Sequence, residues 1–339
     1  KRYARGLDPK VVHLTNLLLH VATVVAFYFL ARLIFRLSMP TRTTGTDWAS
    51  PLAAAIAAIF FGCHPLRVEN AVWVTERRDV LSAMFLVPCL YFYLRYVLVE
   101  KWGREKTALY VASLLLLTLS LLSKAWGITL PAVLLVLDVY PLKRIGGQAR
   151  RTGKRAVTVF VEKIPFFALA LTFAMFAKAA QANQRHTMKT LAEWGVADRI
   201  AQVFYGLFWY SYKTLVPINL TPLVPLPPEN TNNPLAARYI FAAIVVILVV
   251  VMLIRFRKKV PGLVVLAICY AGVLSPILGI AQSGPQLVAD KYAYLGCIPW
   301  AILVGAGWLW VVRRRNDSPR SKFTASTTCA FTLVVLCAF

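Results

Sequence analysis

Residues 60–85 read FFGCHPLRVENAVWVTERRDVLSAMF. Between two greasy flanks this stretch holds His64, Arg67, Glu69, Glu76, Arg77, Arg78 and Asp79. The reading of those flanks decides the fold. The 339-residue chain is 59% hydrophobic and 15% charged, where an ordinary soluble domain carries about a quarter charged residues. Apolar runs recur at Val11–Phe35, Tyr239–Ile254, Val260–Ala281 and Tyr294–Val312, and a helix of about twenty such residues crosses a bilayer. In lipid only helices and closed barrels satisfy their backbone polar groups, and these runs lack the period-two alternation of barrel strands. The composition therefore predicts an all-α, polytopic transmembrane bundle.

The net charge of +24 does not point to nucleic acid. Lys and Arg cluster in short loops between apolar runs, as the positive-inside rule requires. The six cysteines show no metal or redox spacing. Cys89, Cys269, Cys329 and Cys337 lie in apolar runs, where Cys packs as a small hydrophobe. The chain opens on KRYARGLDPK and stops within FTLVVLCAF, which reads as a piece of a longer protein.

Hydropathy predicts ten spans: 11–35, 50–63, 80–98, 107–123, 127–142, 160–181, 237–254, 260–281, 294–312 and a truncated 323–339. Together they make residues 1–339 one transmembrane domain. The loops 143–163, 255–259 and 313–322 are rich in Lys and Arg and belong in the cytoplasm. Counting from them puts 64–79, 124–126 and 283–293 outside. The apolar segment 200–216 would break this parity if it crossed. Its Tyr205, Trp209, Tyr210, Tyr212 and Lys213 are interfacial residue types. It is expected as an interfacial or re-entrant helix within an outer region, 183–236, that ends in a Pro-rich extended loop.

After Pro65, the residues LRVENAVWVTERRD can form one helix. Glu69, Trp73 and Glu76 then share a face at i, i+4 and i+7. Val68, Ala71, Val72 and Thr75 form a less polar neighbouring face, as in a helix lying in the membrane interface. Carboxylates there can act as general bases or hold a divalent cation such as Mg or Mn. The plainer reading, solvated loop charges, stays open. His64 could cap the helix, bind phosphate or titrate. Lys124 is either a snorkelling residue or a phosphate contact. Asp290 and Tyr294 lie one helical turn apart on the same predicted side, with Lys291 and Tyr292 beside them. The segment DVYPLKR (138–144) reads as structural.

These residues resemble a family. HPLRVENAVWVTERRDVLSAMF is similar to the HP-x-x-x-E…R-x-D signature of transmembrane and tetratricopeptide-repeat-containing proteins. LLSKAWGITLPAVLLVLDVYPLKR, KIPFFALAL and ADKYAYL resemble further segments of its bacterial members, in the same order, and the resemblance covers about residues 11–312. It implies a membrane domain of the GT-C glycosyltransferase type. Such a domain transfers a sugar from a polyprenyl-phosphate carrier to a protein or glycan acceptor on the extracytoplasmic face of, here, a bacterial inner membrane. His64, Glu69, Arg77 and Asp79 match the family motif as catalytic-loop residues, with Glu69 the acid supporting a metal or the acceptor. Arg77 and Lys124 are expected at the carrier phosphate, and Asp290 and Tyr294 as lining residues. The family's principal acid would precede residue 1; Asp8, in GLDPK, does not match a paired-acid motif. The chain shows no 34-residue helical repeat. Two other classes remain: a non-enzymatic membrane anchor for a repeat scaffold, and a transporter. The transporter is disfavoured because few ionisable residues lie near the middle of the spans.

Overall fold

In a computed structural model, the structure describes residues 9–39, 47–145, 153–182, 190, 193–228, 232–280 and 284–316. Among them, eleven α-helices build one bundle. They are α1 (Pro9–Ser38), α2 (Ala49–Cys63), α3 (Val68–Val72), α4 (Arg77–Leu98), α5 (Arg104–Ser123), α6 (Leu130–Val139), α7 (Gly153–Ala182), α8 (Val196–Leu215), α9 (Ala237–Phe256), α10 (Pro261–Leu274) and α11 (Ala293–Asn316).

Six helical segments are long and apolar enough to cross a membrane: Pro9–Ser38, Val74–Leu98, Arg104–Ser123, Val157–Ala180, Ala237–Phe256 and Asp290–Arg313. Helix α2 and the segment Pro65–Val72 pass only together, across a 56° bend, giving up to seven. This corrects the expectation of ten. The runs 127–142 and 260–281 become the short apolar helices Ala125–Val139 and Pro261–Ile277. At about 1.5 Å per residue neither matches a hydrocarbon core of about 30 Å. Hydropathy misled because it scores composition, whereas a Tyr-Pro step ends one helix and a Ser-Pro step the other. The expected span 323–339 lies outside the described residues.

Apolar side chains point two ways. Leu14, Leu18, Val25, Ile244, Leu248 and Val251 are exposed on α1 and α9, as lipid-facing positions are. Phe27, Ala31, Phe35, Ala53, Ala57, Phe61, Val80, Val87 and Leu134 fill the core. Helix α2 packs against α1 and α11 through its alanines, the small-residue contact that suits packing in lipid. Gly305 of α11 completes it: a Cβ there would lie 2.6 Å from the Ala53 carbonyl oxygen.

The bundle has two polar ends. One gathers basic residues. Arg313 Nη2 bonds Asp47 Oδ2 at 3.0 Å. Lys163 Nζ lies 2.6 Å from Asp138 Oδ2, with both side chains fully buried. Arg144 lies 3.1 Å from Asp138 and 2.7 Å from Glu162. Tyr93 donates to Asp138 Oδ2 at 2.7 Å. This network ties α4, α6 and α7 together, as the structural reading of DVYPLKR expects. Arg255–Lys259 belong to the same end, since Lys259 lines a groove with Ser38 and Tyr140.

The opposite end carries the 60–85 stretch. Helix α8 lies across it: Arg199 Nη1 donates to Ile280 O at 2.8 Å and Thr214 O contacts His64 Nε2 at 2.9 Å. Thus the two extremities of α8 meet the same end of the bundle, and α8 is not among the crossing helices. Beyond α8, strands β1 (Val224–Pro225) and β2 (Gln286–Val288) pair antiparallel. The Pro-rich segment is thereby held beside the start of α11.

Candidate functional site

The stretch after Pro65 is not one helix, contrary to its periodicity. A 3-10 turn at Pro65–Arg67 leads into α3, Trp73 is extended (φ −77, ψ 123), and a second 3-10 turn at Val74–Glu76 precedes α4. The break at Trp73 destroys the i, i+7 register, so Glu69 and Glu76 take different partners. The apolar face persists in another form: Val68, Val72, Trp73 and Val74 are all exposed, a surface suited to a membrane interface.

Glu76 and Asp79 belong to a lysine cluster. Lys124 Nζ bonds Asp79 Oδ1 and lies 3.7 Å from Glu76 Oε2. Lys291 Nζ lies 3.0 Å from Glu76 Oε1. Trp126 Nε1 donates to Asp79 Oδ1 at 2.8 Å, and Asn70 Nδ2 to Oδ2 at 3.3 Å. Asp79 is 1% exposed and its two oxygens are occupied, so it acts as a hub joining α3, α4 and the α5–α6 turn. Lys124 and Lys291 keep a partly exposed face, 23% and 20%. The rings of Trp126 and Tyr292 flank Lys124, and those of Trp73 and Tyr292 flank Lys291.

Glu69 and Asp290 are different. Together with His13, Pro65, Val68, Val72, Trp73, Leu220 and Thr221 they line a cavity of about 440 Å³. Glu69 Oε1 and Asp290 Oδ1 are buried and lack a hydrogen-bond partner. The second oxygen of Asp290, Oδ2, accepts from Thr221 N–H. Burial pushes the Glu69 carboxyl up to about 7; Lys291 opposes this, while Asp290 and Glu76 add to it. A buried carboxylate oxygen without a partner is costly, and here two of them belong to residues that line one cavity.

The other expected site residues do not reach this cavity. His64 Nδ1 accepts from Leu66 N–H at 3.2 Å, which leaves Nε2 to donate to Thr214 O at 2.9 Å. Burial lowers its pKa to about 4. It is a neutral cap, the plainer of its readings. Tyr294 is 1% exposed, and its hydroxyl meets His20 Nδ1 at 2.7 Å beneath the Arg67 guanidinium. Arg77 is pinned to α1 through Asn16 Oδ1 at 2.7 Å and Val12 O at 3.2 Å. Residue spacing missed Asn70, Trp126, Thr221 and His20, the buried partner of Tyr294. Each acts through a contact distant in sequence, and only the AWG turn after Lys124 carried a local hint. Among the described residues no three His, Cys, Asp or Glu side chains converge. Glu69 and Asp290 thus do not form a self-sufficient divalent-cation site.

No family model matches the chain, and no solved structure does. Curated relatives do. The protein O-mannosyl-transferase tmtc2 of Xenopus laevis is 28% identical over 171 residues, 50% of this chain and 18% of that protein. The protein O-mannosyl-transferase TMTC2 of Homo sapiens is 26% identical over 140 residues, 41% of this chain and 15% of that protein. The matched part thus spans less than a fifth of these relatives. The chain is a multi-pass membrane protein with distant, partial similarity to protein O-mannosyl-transferases.

Proposed function

We propose that this chain forms part of a membrane glycosyltransferase that takes a sugar from a polyprenyl-phosphate carrier and passes it to a protein or glycan hydroxyl at the Glu69–Asp290 end, on the extracytoplasmic side. The observation that carries the reading is the pair of unpartnered carboxylate oxygens on one cavity, with the partly exposed Lys291 following Asp290 in the chain and sharing Glu76 with Lys124. The charge distribution supports the side: Arg144, Arg255–Lys259 and Arg313 gather at the opposite end, as expected of a cytoplasmic face. The similarity to O-mannosyl-transferases supports the reaction class.

In the mechanism, Glu69 in its ionised form accepts the acceptor hydroxyl proton. The oxygen attacks the anomeric carbon while the bond from that carbon to the phosphate oxygen breaks. Polyprenyl phosphate leaves with the bonding electron pair, and Lys124 and Lys291 offset its charge. Asp290, across the cavity, accepts a hydrogen bond from the acceptor and orients it. Asp79 holds Lys124 in place. No step is assigned to a divalent cation.

The test is sugar transfer by the native-length protein in vesicles, with a polyprenyl-phosphate-linked hexose as donor. Glu69→Gln and Asp290→Asn should each reduce turnover while donor binding persists, and Lys291→Gln should weaken donor binding. Unchanged turnover in both carboxylate variants would sink the assignment. A cysteine replacing the exposed Thr75 should react with an impermeant thiol reagent from outside only.

A further inference from the structure

A second cavity, about 500 Å³, opens between α1, α4, α6, α10 and α11. Its walls are largely apolar, with Leu86, Val133, Leu266 and Ile302 among them. Two of those walls, α6 and α10, are the helices too short to match a bilayer, so the groove lies where the bundle is least able to cover itself. Such a volume is in the range of ligand pockets.

The groove is charged at one extremity only. Lys259, with Ser38 and Tyr140, lines it at the basic end, whereas Thr129 and Leu295, toward the Glu69 end, bring no charge. No carboxylate lines it. Lys259 is exposed beside the equally exposed Arg255, Arg257 and Lys258. None of the four forms an ion pair with another described residue. The described carboxylates in the networks of this end are already taken: Asp47 by Arg313, Asp138 by Lys163, Glu162 by Arg144. Helix α10 starts at Pro261 in the same mouth, adding the positive end of its dipole.

An apolar slot with one cationic mouth complements an amphiphile with one anionic head. We infer that the groove binds an anionic glycerophospholipid from the leaflet at the basic end, its acyl chain between α6 and α10 and its phosphate beside Lys259. Basic groups at a membrane surface attract anionic headgroups; the groove converts that attraction into a site. A lipid whose phosphate sits at Lys124 and Lys291 would have to enter from the other end, where the groove is uncharged. The inference therefore stands apart from the glycosyltransferase reading, and its assay does not measure sugar transfer.

The experiment titrates delipidated native-length protein with dioleoyl phosphatidylglycerol or dioleoyl phosphatidylcholine and reads bound lipid by native mass spectrometry, with Tm alongside. Phosphatidylglycerol should bind more tightly and raise Tm more. The double change Lys258→Gln and Lys259→Gln should weaken it about tenfold or more, at about fivefold for each cation lost. Gly307→Phe should abolish binding, because Gly307 lines the groove and a Cβ there meets nothing within 4 Å. Gly272→Phe, equally unobstructed but outside the groove, should leave it unchanged. Leu263→Trp, at the half-exposed mouth, gives a second blocking variant should Gly307→Phe not fold. Equal affinity for the two lipids overturns the inference. So does phosphatidylglycerol binding that survives a folded groove-filling variant, since that is attraction to the basic loop alone. A co-purified polyprenyl phosphate, retained regardless of the lysines, overturns it as well.

Discussion

The two polar ends of the bundle use the same side-chain types to opposite effect. At the basic end, Asp138, Glu162, Arg144 and Lys163 balance in charge and satisfy one another, with Tyr93 closing the set. At the other end Lys124 and Lys291 hold Glu76 and Asp79 in ion pairs, although Glu76 Oε2 makes no hydrogen bond, while Glu69 and Asp290 each have an unpartnered oxygen and line a cavity. A closed network of buried charges specifies how helices meet. An open one carries an uncompensated burial cost that a ligand can relieve. The difference lies in the partners, not in the abundance of charge.

The sharpest way to break this comparison is to unbalance each end. Lys163→Met leaves Asp138 fully buried beside Arg144 and should destabilise the protein by about 3–5 kcal/mol in thermal or denaturant unfolding in detergent. Adding Asp138→Leu should recover most of that loss. If Lys163→Met is neutral, the basic end is not the clamp its geometry describes. At the other end Glu69→Gln should lower turnover about 100-fold or more with Tm unchanged or higher, because a costly buried carboxylate is removed. A large loss of Tm there would erase the distinction between the ends.

A smaller effect concerns pH. The Glu69 carboxyl ordinarily titrates near 4.5 and is raised to about 7 in the folded protein. Between those values the folded state binds more protons than the unfolded state, so this residue's contribution to stability falls as pH rises from about 4.5 to 7. Tm measured across that window should decline less steeply in Glu69→Gln than in the parent. Turnover should follow the opposite course and rise through pH 7 as the base form appears. The smallest effect is expected from Arg77→Lys. It loses the bond to Asn16 or Val12 and should cost about 1 kcal/mol of stability, with turnover per folded molecule unchanged. A selective loss of donor affinity would instead return Arg77 to the carrier phosphate.

Hydropathy made most of the crossing helices legible, because lipid-facing and core positions are both apolar and a run near twenty residues has few other uses. It overcounted at 127–142 and 260–281, where prolines at both ends decide the usable length. Helical spacing put Glu69 and Glu76 together, and the extended Trp73 undid that. The residues of the cavity were individually visible, since Glu69 and Asp290 interrupt apolar sequence. Their meeting was not, as 221 positions separate them.

The sequence by itself determined that this is a multi-pass helical protein and which end of each helix carries charge, because transfer from water to lipid acts residue by residue. Only the tertiary structure decided which charges are spent on one another and which remain open. That depends on distances across helices, such as Lys124 to Asp79 and Thr221 to Asp290. It is why His64, Arg77 and Tyr294 are held within the bundle, and Glu69 and Asp290 line a cavity.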